Sequence, residues 1–549
     1  METNVKKLSL MISIAICAAV LTSCGNNDRG SGMNHMYNVP LLGNPQSLDP
    51  QYADDPSSNT VIKNLYSGLM TIDQGGNVVC CNAEDYVVSE GGTVYTFHLR
   101  QDNCWFFDKN NDDVIDDEEC FPVTADDYVY AIQRVIDPKM QSPYADEFSC
   151  IKGAQEVEDG LVSAEYAEVY AADDHTFVVV LSKPDAEFLS LMASPAAYPC
   201  NREFFDSTKG RYGLDDRSVM SNGPFYVRQW FYDPYGSNNI LYMRRNEKNW
   251  TDTYDIMPSY LSFTIERDEQ DIRKLFKEGE IDCFTTMSSS PYNPRKYSIT
   301  GMPAITLGLI FAPHDKYFSN ENMRRAIAAS VDREMLISGK DSDVQTAYGI
   351  IPPAVRLLGR SYRELSADKQ FGSFDREKAQ ELFAQAKGEL GVESVEGVKV
   401  LVSAETVDSR KLHSLSQSWQ DIFGVYIGID EVTPEEFAER IAEGDYSIAL
   451  YPLKADRESG EAAIEAFSKT ECLKYALPEE GLADGLTDCS TSSELVERYT
   501  AAEKKIIDKC GFVPLFYKNE YLIADRDNED IYFDAFSGAV DYRLARNYS

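Results

Sequence analysis

The apolar positions of this chain change period several times, and each change predicts an element. A continuous apolar run of fourteen residues, LSLMISIAICAAVL, follows Lys6 and Lys7. It is too short for a spanning helix, which takes about 20 residues, and has the length and basic flank of a secretory h-region. In TVYTFHLR (93–100) β-branched and aromatic residues alternate with polar ones, which predicts a strand; HTFVVVLSKP (175–184) predicts another. Tyr128, Ala131, Ile132, Val135 and Ile136 recur instead at helical spacing within TADDYVYAIQRVIDP (124–138). That helix has both ends marked. Thr124 and Asp127 stand at capping-box spacing, acids fill the first turn, and Pro138 cannot continue it. Further helices are predicted over 320–337 and 375–391, the latter stopping at Gly391. GVYIGIDEV (424–432) and DYSIALYPL (445–453) flank TPEEFAERIAEG, a strand–helix–strand order suited to a parallel βαβ unit. The class is mixed α/β throughout, without repeats.

The apolar run ends in LTSC (21–24), which resembles a bacterial lipobox and makes Cys24 the expected lipid anchor at the end of a signal peptide, residues 1–24. A Gly/Asn/Ser-rich tether (25–33) follows. No later stretch is long and apolar enough to cross a bilayer, so the expected location is extracytoplasmic, attached to the membrane but not embedded in it. With 549 residues, two or three domains are expected. The formal charge of -38 argues against nucleic acid and anionic lipid surfaces as partners, which call for basic patches, and otherwise serves mainly solubility.

Candidate chemistry is sparse. Five histidines include no pair at metal-binding helical spacing, and the Gly-x-Ser-x-Gly elbow, the phosphate-binding loop and the Cys-x-x-Cys ribbon are all absent. No enzymatic activity is expected. Of twelve cysteines, ten lie beyond residue 24, an even number that suggests disulfides in an exported protein. The expected pairs are Cys104–Cys120, Cys472–Cys489 and Cys150–Cys200. DKNNDDVIDDEE (108–119) packs seven carboxylates into twelve residues. Asp108, Asn110, Asp112, Asp116 and Glu119 fall at loop positions 1, 3, 5, 9 and 12, and Val114 supplies a carbonyl at position 7. That is the spacing of an EF-hand calcium loop, except that Asp113 replaces the usual glycine. Structural calcium and a bare acidic loop are the two readings; no cofactor is otherwise required.

The order of motifs along the chain says more. NPQSLDPQYADDPSSNTVIKNLYSGLMTID (44–73), TVYTFHLRQDNCW, PVTADDYVYAIQRVIDPKMQSPYA (122–145), SNGPFYVRQW (221–230), RRNEKNW (244–250), FKEGEIDCF (276–284), FSNENMRRAIAASVDREMLI (318–337) and VPLFYKNEYLI (513–523) follow one another as in a known family. The mature chain resembles the extracellular solute-binding proteins of family 5, the oligopeptide- and dipeptide-binding lipoproteins of ABC importers. The resemblance implies a two-lobed clamp of the periplasmic-binding type (type II, cluster C). Lobe I would comprise 34–67, 202–290 and 518–549, an inserted subdomain 68–201, and lobe II 291–517. It further implies a monomer that closes by a hinge on a peptide held through its main chain and delivers it to a membrane permease.

By motif position, Asp456 in YPLKADRESG would take the peptide ammonium. Ala53, Asp54 and Asp55 mark the other ligand-pairing segment, with Asp54 a second acid. Two departures stand out: Pro452 lacks the N–H that strand addition uses, and Leu453 replaces a common aromatic. A non-peptide cargo (a nickel complex, a sugar, an opine) or a surface sensor or chaperone with the same clamp is the alternative. The acidic loop stands where the family has a short Trp-Ser-Asp-Gly turn.

Overall fold

The computed structural model describes residues 36–547 except 111, 113–114, 236–238, 251–255, 338–342, 358, 367–371, 405, 408 and 475–480. Three sheets organise it. In the first, Met36–Leu42 runs parallel to Tyr260–Glu266, followed by Ile240–Arg245 and Phe225–Phe231. Its period-2 pattern is plain: Tyr37, Val39 and Leu41 are buried beside Leu261, Phe263 and Ile265. The second is antiparallel, ordered Ala83–Ser89, Val94–Leu99, Thr176–Val180, Val169–Asp173. Helix Ala125–Ile136 packs on it, and its whole predicted stripe is buried. The capping box forms as expected, with Thr124 N–H donating to Asp127 at 2.9 Å.

The third sheet has seven strands. Cys283–Thr286, Val513–Asp525, Tyr297–Phe311, Ile448–Lys454, Lys399–Ser403 and Gly428–Val432 lie in that order, and Val344–Thr346 also pairs with Val513–Asp525. Alternate residues bury both faces. Leu307, Leu309, Val400, Val402, Ile448 and Leu450 pack on helices Glu321–Ala329, Arg376–Leu390 and Arg410–Phe423. Ile310, Leu401, Ala449 and Leu453 pack on the other side, toward Pro434–Glu443, Gly460–Lys469 and Ser492–Asp508. A sheet covered on both faces must be apolar on both.

Two expectations are corrected here. The helix expected over 320–337 breaks into Glu321–Ala329 and Arg333–Leu336, because Asp332 caps a new start by accepting from Met335 N–H. The strand expected over 424–432 begins only at Gly428, since Gly424 (φ 71°) is the left-handed end of Arg410–Phe423. The parallel βαβ unit forms as expected: Gly428–Val432, helix Pro434–Glu443 and Ile448–Lys454 follow in order, and both strands lie parallel to Lys399–Ser403, which sits between them.

Arg134 is buried against Asp49 at 2.5 Å, with Gln51 Oε1 at 2.7 Å and the Phe205 ring 4.1 Å away. Removing one partner of such a pair strands a buried charge. Asp49→Ala is therefore expected to lose about 3–5 kcal/mol in urea unfolding. Lys504→Ala, whose pair with Asp508 is exposed on both sides, should lose less than about 1 kcal/mol.

Candidate functional site

Strand Ile448–Lys454 is the starting point. Along one edge, Leu450–Lys454 pairs with Ile305–Leu309. On the other, pairing with Lys399–Ser403 stops at Val400↔Ile448 and Leu401↔Ala449. Beyond Ala449 that edge meets no further strand among the described residues, which leaves main-chain groups for an added one. Pro452, exposed in its middle, contributes a carbonyl and no donor. Leu453 offers this edge its main chain only. Its side chain lies in the core opposite Thr306, where a pleated strand must send every second residue.

Past the strand the chain turns outward. Asp456 is exposed, with 79% of its side chain in solvent, and lies 3.6 Å from Arg457. Arg457 is half-buried and meets Glu147 at 3.6 Å, Glu461 at 3.5 Å and Glu465 at 3.2 Å. Next to this cluster stands Tyr144, whose hydroxyl donates to the Ala53 carbonyl. Burial, then the charges of Glu147, Asp54, Asp456 and Asp55, hold the Tyr144 phenol above its ordinary pKa. The two segments singled out in the sequence, 53–55 and 456, thus come together around one tyrosine.

Their individual roles differ from expectation. Ala53 is buried; its N–H donates to the Asp49 carbonyl at 2.9 Å and its own carbonyl takes Tyr144, so its main chain is already committed. Asp55 caps helix Pro56–Leu65 by accepting from Ser58 N–H at 2.9 Å, and its other oxygen takes the Ser58 hydroxyl. Asp54 is exposed and remains, with Asp456, an acid facing outward. Tyr144, Glu147 and Arg457 are additions. Only the i,i+4 spacing of Arg457 and Glu461 could have hinted at them.

The acidic loop closes on itself. Asp108 Oδ1 and Asn110 Oδ1 both accept from Asp112 N–H, at 3.2 and 3.0 Å. Glu119 is buried and accepts from Lys109 N–H at 2.8 Å, Asn110 N–H at 3.3 Å and Asp116 N–H at 3.1 Å. Asp117 pairs outward with Lys248 at 2.8 Å. No group of three or more potential metal ligands gathers among the described residues; Asp113 and Val114 lie outside them, as does Cys24.

The cysteine pairs are corrected: all ten cysteines beyond residue 24 are free thiols. Cys104 and Cys120 lie on neighbouring strands, but Cys104 opposes Pro122 and Cys120 opposes Phe106, so the two are diagonal. Cys200 is engaged by Arg134, whereas Cys150 donates to the Glu147 carbonyl. Cys489 donates to the Thr491 carbonyl instead of facing Cys472.

A mixed four-stranded sheet, an antiparallel four-stranded sheet and a seven-stranded sheet with helices on both faces make a mixed α/β fold of the two-lobed periplasmic-binding class. The chain belongs to the bacterial extracellular solute-binding proteins, family 5, whose middle-region model matches residues 77–472. It is 25% identical to the oligopeptide-binding protein OppA of Bacillus subtilis, over 98% of this chain and 99% of that one. It is also 25% identical to the oligopeptide-binding protein AliB of Streptococcus pneumoniae, over 81% and 76%. Among solved structures it matches the pheromone receptor PrgZ, described with its mode of peptide binding, at a TM-score of 0.68 and 23% identity, covering 94% of this chain and 100% of that one. Listeria monocytogenes OppA bound to peptide matches at a TM-score of 0.63 and 22% identity, over 94% and 99%.

Glu119→Ala is expected to cost about 1–3 kcal/mol in unfolding free energy, because three loop amides lose their acceptor. A chain starting at Met36 and denatured without reductant should show all ten cysteines alkylated by iodoacetamide in mass spectra.

Proposed function

We propose that this protein is the substrate-binding component of an ABC importer, capturing peptides between its lobes and handing them unaltered to a membrane permease. The observation that carries the reading is the exposed Asp456 at the end of a strand with an open edge, beside the segment that holds Asp54. An extended peptide added to Leu450–Lys454 would satisfy main-chain groups whatever its side chains, and its ammonium would meet Asp456 through a charge-assisted bond. The relatives' names, oligopeptide-binding proteins among them, support a peptide cargo.

In this reading residues 34–67, 202–290 and 518–549 form lobe I, 68–201 the inserted subdomain and 291–517 lobe II. The hinge is placed where the chain passes between the lobes, one crossing lying within the long strand Val513–Asp525. The signal peptide (1–24) is removed and Cys24 carries the lipid. The protein acts as a monomer on the outer side of the membrane. Solute-binding proteins of this family need no cofactor.

Asp456→Ala is expected to weaken peptides with a free amino terminus roughly ten- to a hundredfold, matching about 1.5–3 kcal/mol for a hydrogen bond to a charged group. N-acetylated peptides should lose little, as read by titration calorimetry. Equal losses for both would remove Asp456 from the ammonium site. A calcium ion in the 108–119 loop would have to displace three amides from Glu119, so the expected melting temperature is the same in calcium and in EDTA. A melt raised by calcium and reversed by EDTA would instead mark a filled loop.

A further inference from the structure

We propose that the carboxylates gathered around Arg457 form a proton-responsive latch between the inserted subdomain and residues 456–465 and 487–488, favouring the closed clamp as pH falls. The proposal rests on the reading that the lobes close about a ligand. Several contacts join the two parts. Arg457 lies 3.6 Å from Glu147. Ser459 Oγ donates to Glu187 at 2.5 Å. Thr487 Oγ1 donates to Asp185 at 3.2 Å, next to the Ala186 N–H bond to the Thr487 carbonyl at 3.0 Å. Lys183 Nζ sits 2.7 Å from Asp488.

Charge at this junction does not balance. Arg457 faces Glu147 from the inserted subdomain, Asp456 from its own turn, and Glu461 and Glu465 from helix Gly460–Lys469. Lys469, 3.9 Å from Glu465, is the other cation of the cluster. Glu461 is also faced by Glu187, Asp185 and Cys150 from the inserted subdomain, and by Tyr499 from helix Ser492–Asp508. Tyr144 is the neutral neighbour of Glu147. Drawing so many like charges out of water is costly, and taking up protons relieves the cost. Burial pushes Glu147 up to about 7, opposed by Arg457 and helped by Asp456 and Glu465. Burial and then Glu187 push Glu461 up to about 8, opposed by Arg457.

When the parts separate, water returns to both carboxylates and their affinity for protons falls toward that of an ordinary Glu, near pH ~4.3. Between there and about pH 8 the closed form holds more protons than the open one. Closing is therefore most favoured at the acid end and weakens as pH rises, by at most roughly tenfold per pH unit for each group. Above that window both groups are ionised in either state, and the dependence flattens.

Small-angle X-ray scattering of the full chain from about pH 5.5 to about pH 8.5, alone and with excess trialanine, reads closure through the radius of gyration. The expected result is a radius that grows with pH. Glu147→Gln combined with Glu461→Gln should diminish that growth, the remainder coming from Glu187 and Asp185, which burial also pushes up, whereas Glu377→Gln, an exposed acid elsewhere, should leave it intact. Arg457→Gln, which removes the cation opposing proton uptake, should move the transition to higher pH. Circular dichroism checks that each variant folds. A radius independent of pH, or an undiminished pH response in the double variant, overturns the latch. If trialanine compacts the protein equally at every pH, the peptide reading stands and the latch falls. If only the pH-dependent compaction appears, the latch stands and the peptide reading falls.

Discussion

Everything in this molecule is tied to the pairing of Tyr297–Phe311 with Val513–Asp525. These strands, of fifteen and thirteen residues, are far longer than the others in their sheet. At one end they add Cys283–Thr286, which follows directly on Asp282, and Asp282 exchanges two bonds with Asn38 of the first lobe at 2.6 and 2.8 Å. At the other end they carry Ile448–Lys454 and Val344–Thr346 with the helices of the second lobe. One backbone ladder therefore runs from Cys283–Thr286 beside the first sheet to Ile448–Lys454 and the helices packed around it, and in the proposed clamp it is the part that would bend or twist on closure.

The charge distribution follows from the same geometry. A net charge of -38 spread over a surface is mainly a solubility device. Where the inserted subdomain meets residues 456–465 and 487–488, however, carboxylates from both sides converge on few cations, and the local charge acquires consequences. Asp456 stays at the solvent side of that cluster and Glu147 at the buried side. One guanidinium therefore connects a group facing outward to a group whose protonation depends on burial.

Much of the fold was legible from local pattern. Helix Ala125–Ile136 and strand Val94–Leu99 appear where periodicity and capping put them, because their signals lie within a few residues of each other. The errors arose where tertiary order decides. Gly424 reads equally well as the start of a strand and as the end of a helix, and only its left-handed backbone shows which. The parallel βαβ run from Gly428–Val432 to Ile448–Lys454 was legible locally, but the position of Lys399–Ser403 between its two strands is a matter of sheet order that no local period encodes. At the site, Asp456 and Asp54 were reached through family resemblance. Arg457, Tyr144 and Glu147 were not, since Glu147 and Arg457 meet only after some three hundred residues have folded between them. An even number of cysteines suggested disulfides, but the thiols found other partners: Cys200 an arginine, Cys150 and Cys489 carbonyls.

The central claim is that a guest is gripped by its main chain and released unaltered. Mass spectrometry of small molecules freed by denaturing the protein as purified tests it most directly. The account predicts a population of short peptides of mixed sequence with free amino termini, in stoichiometric amount. Protein that yields no peptide, or that converts added peptides to fragments, would contradict it.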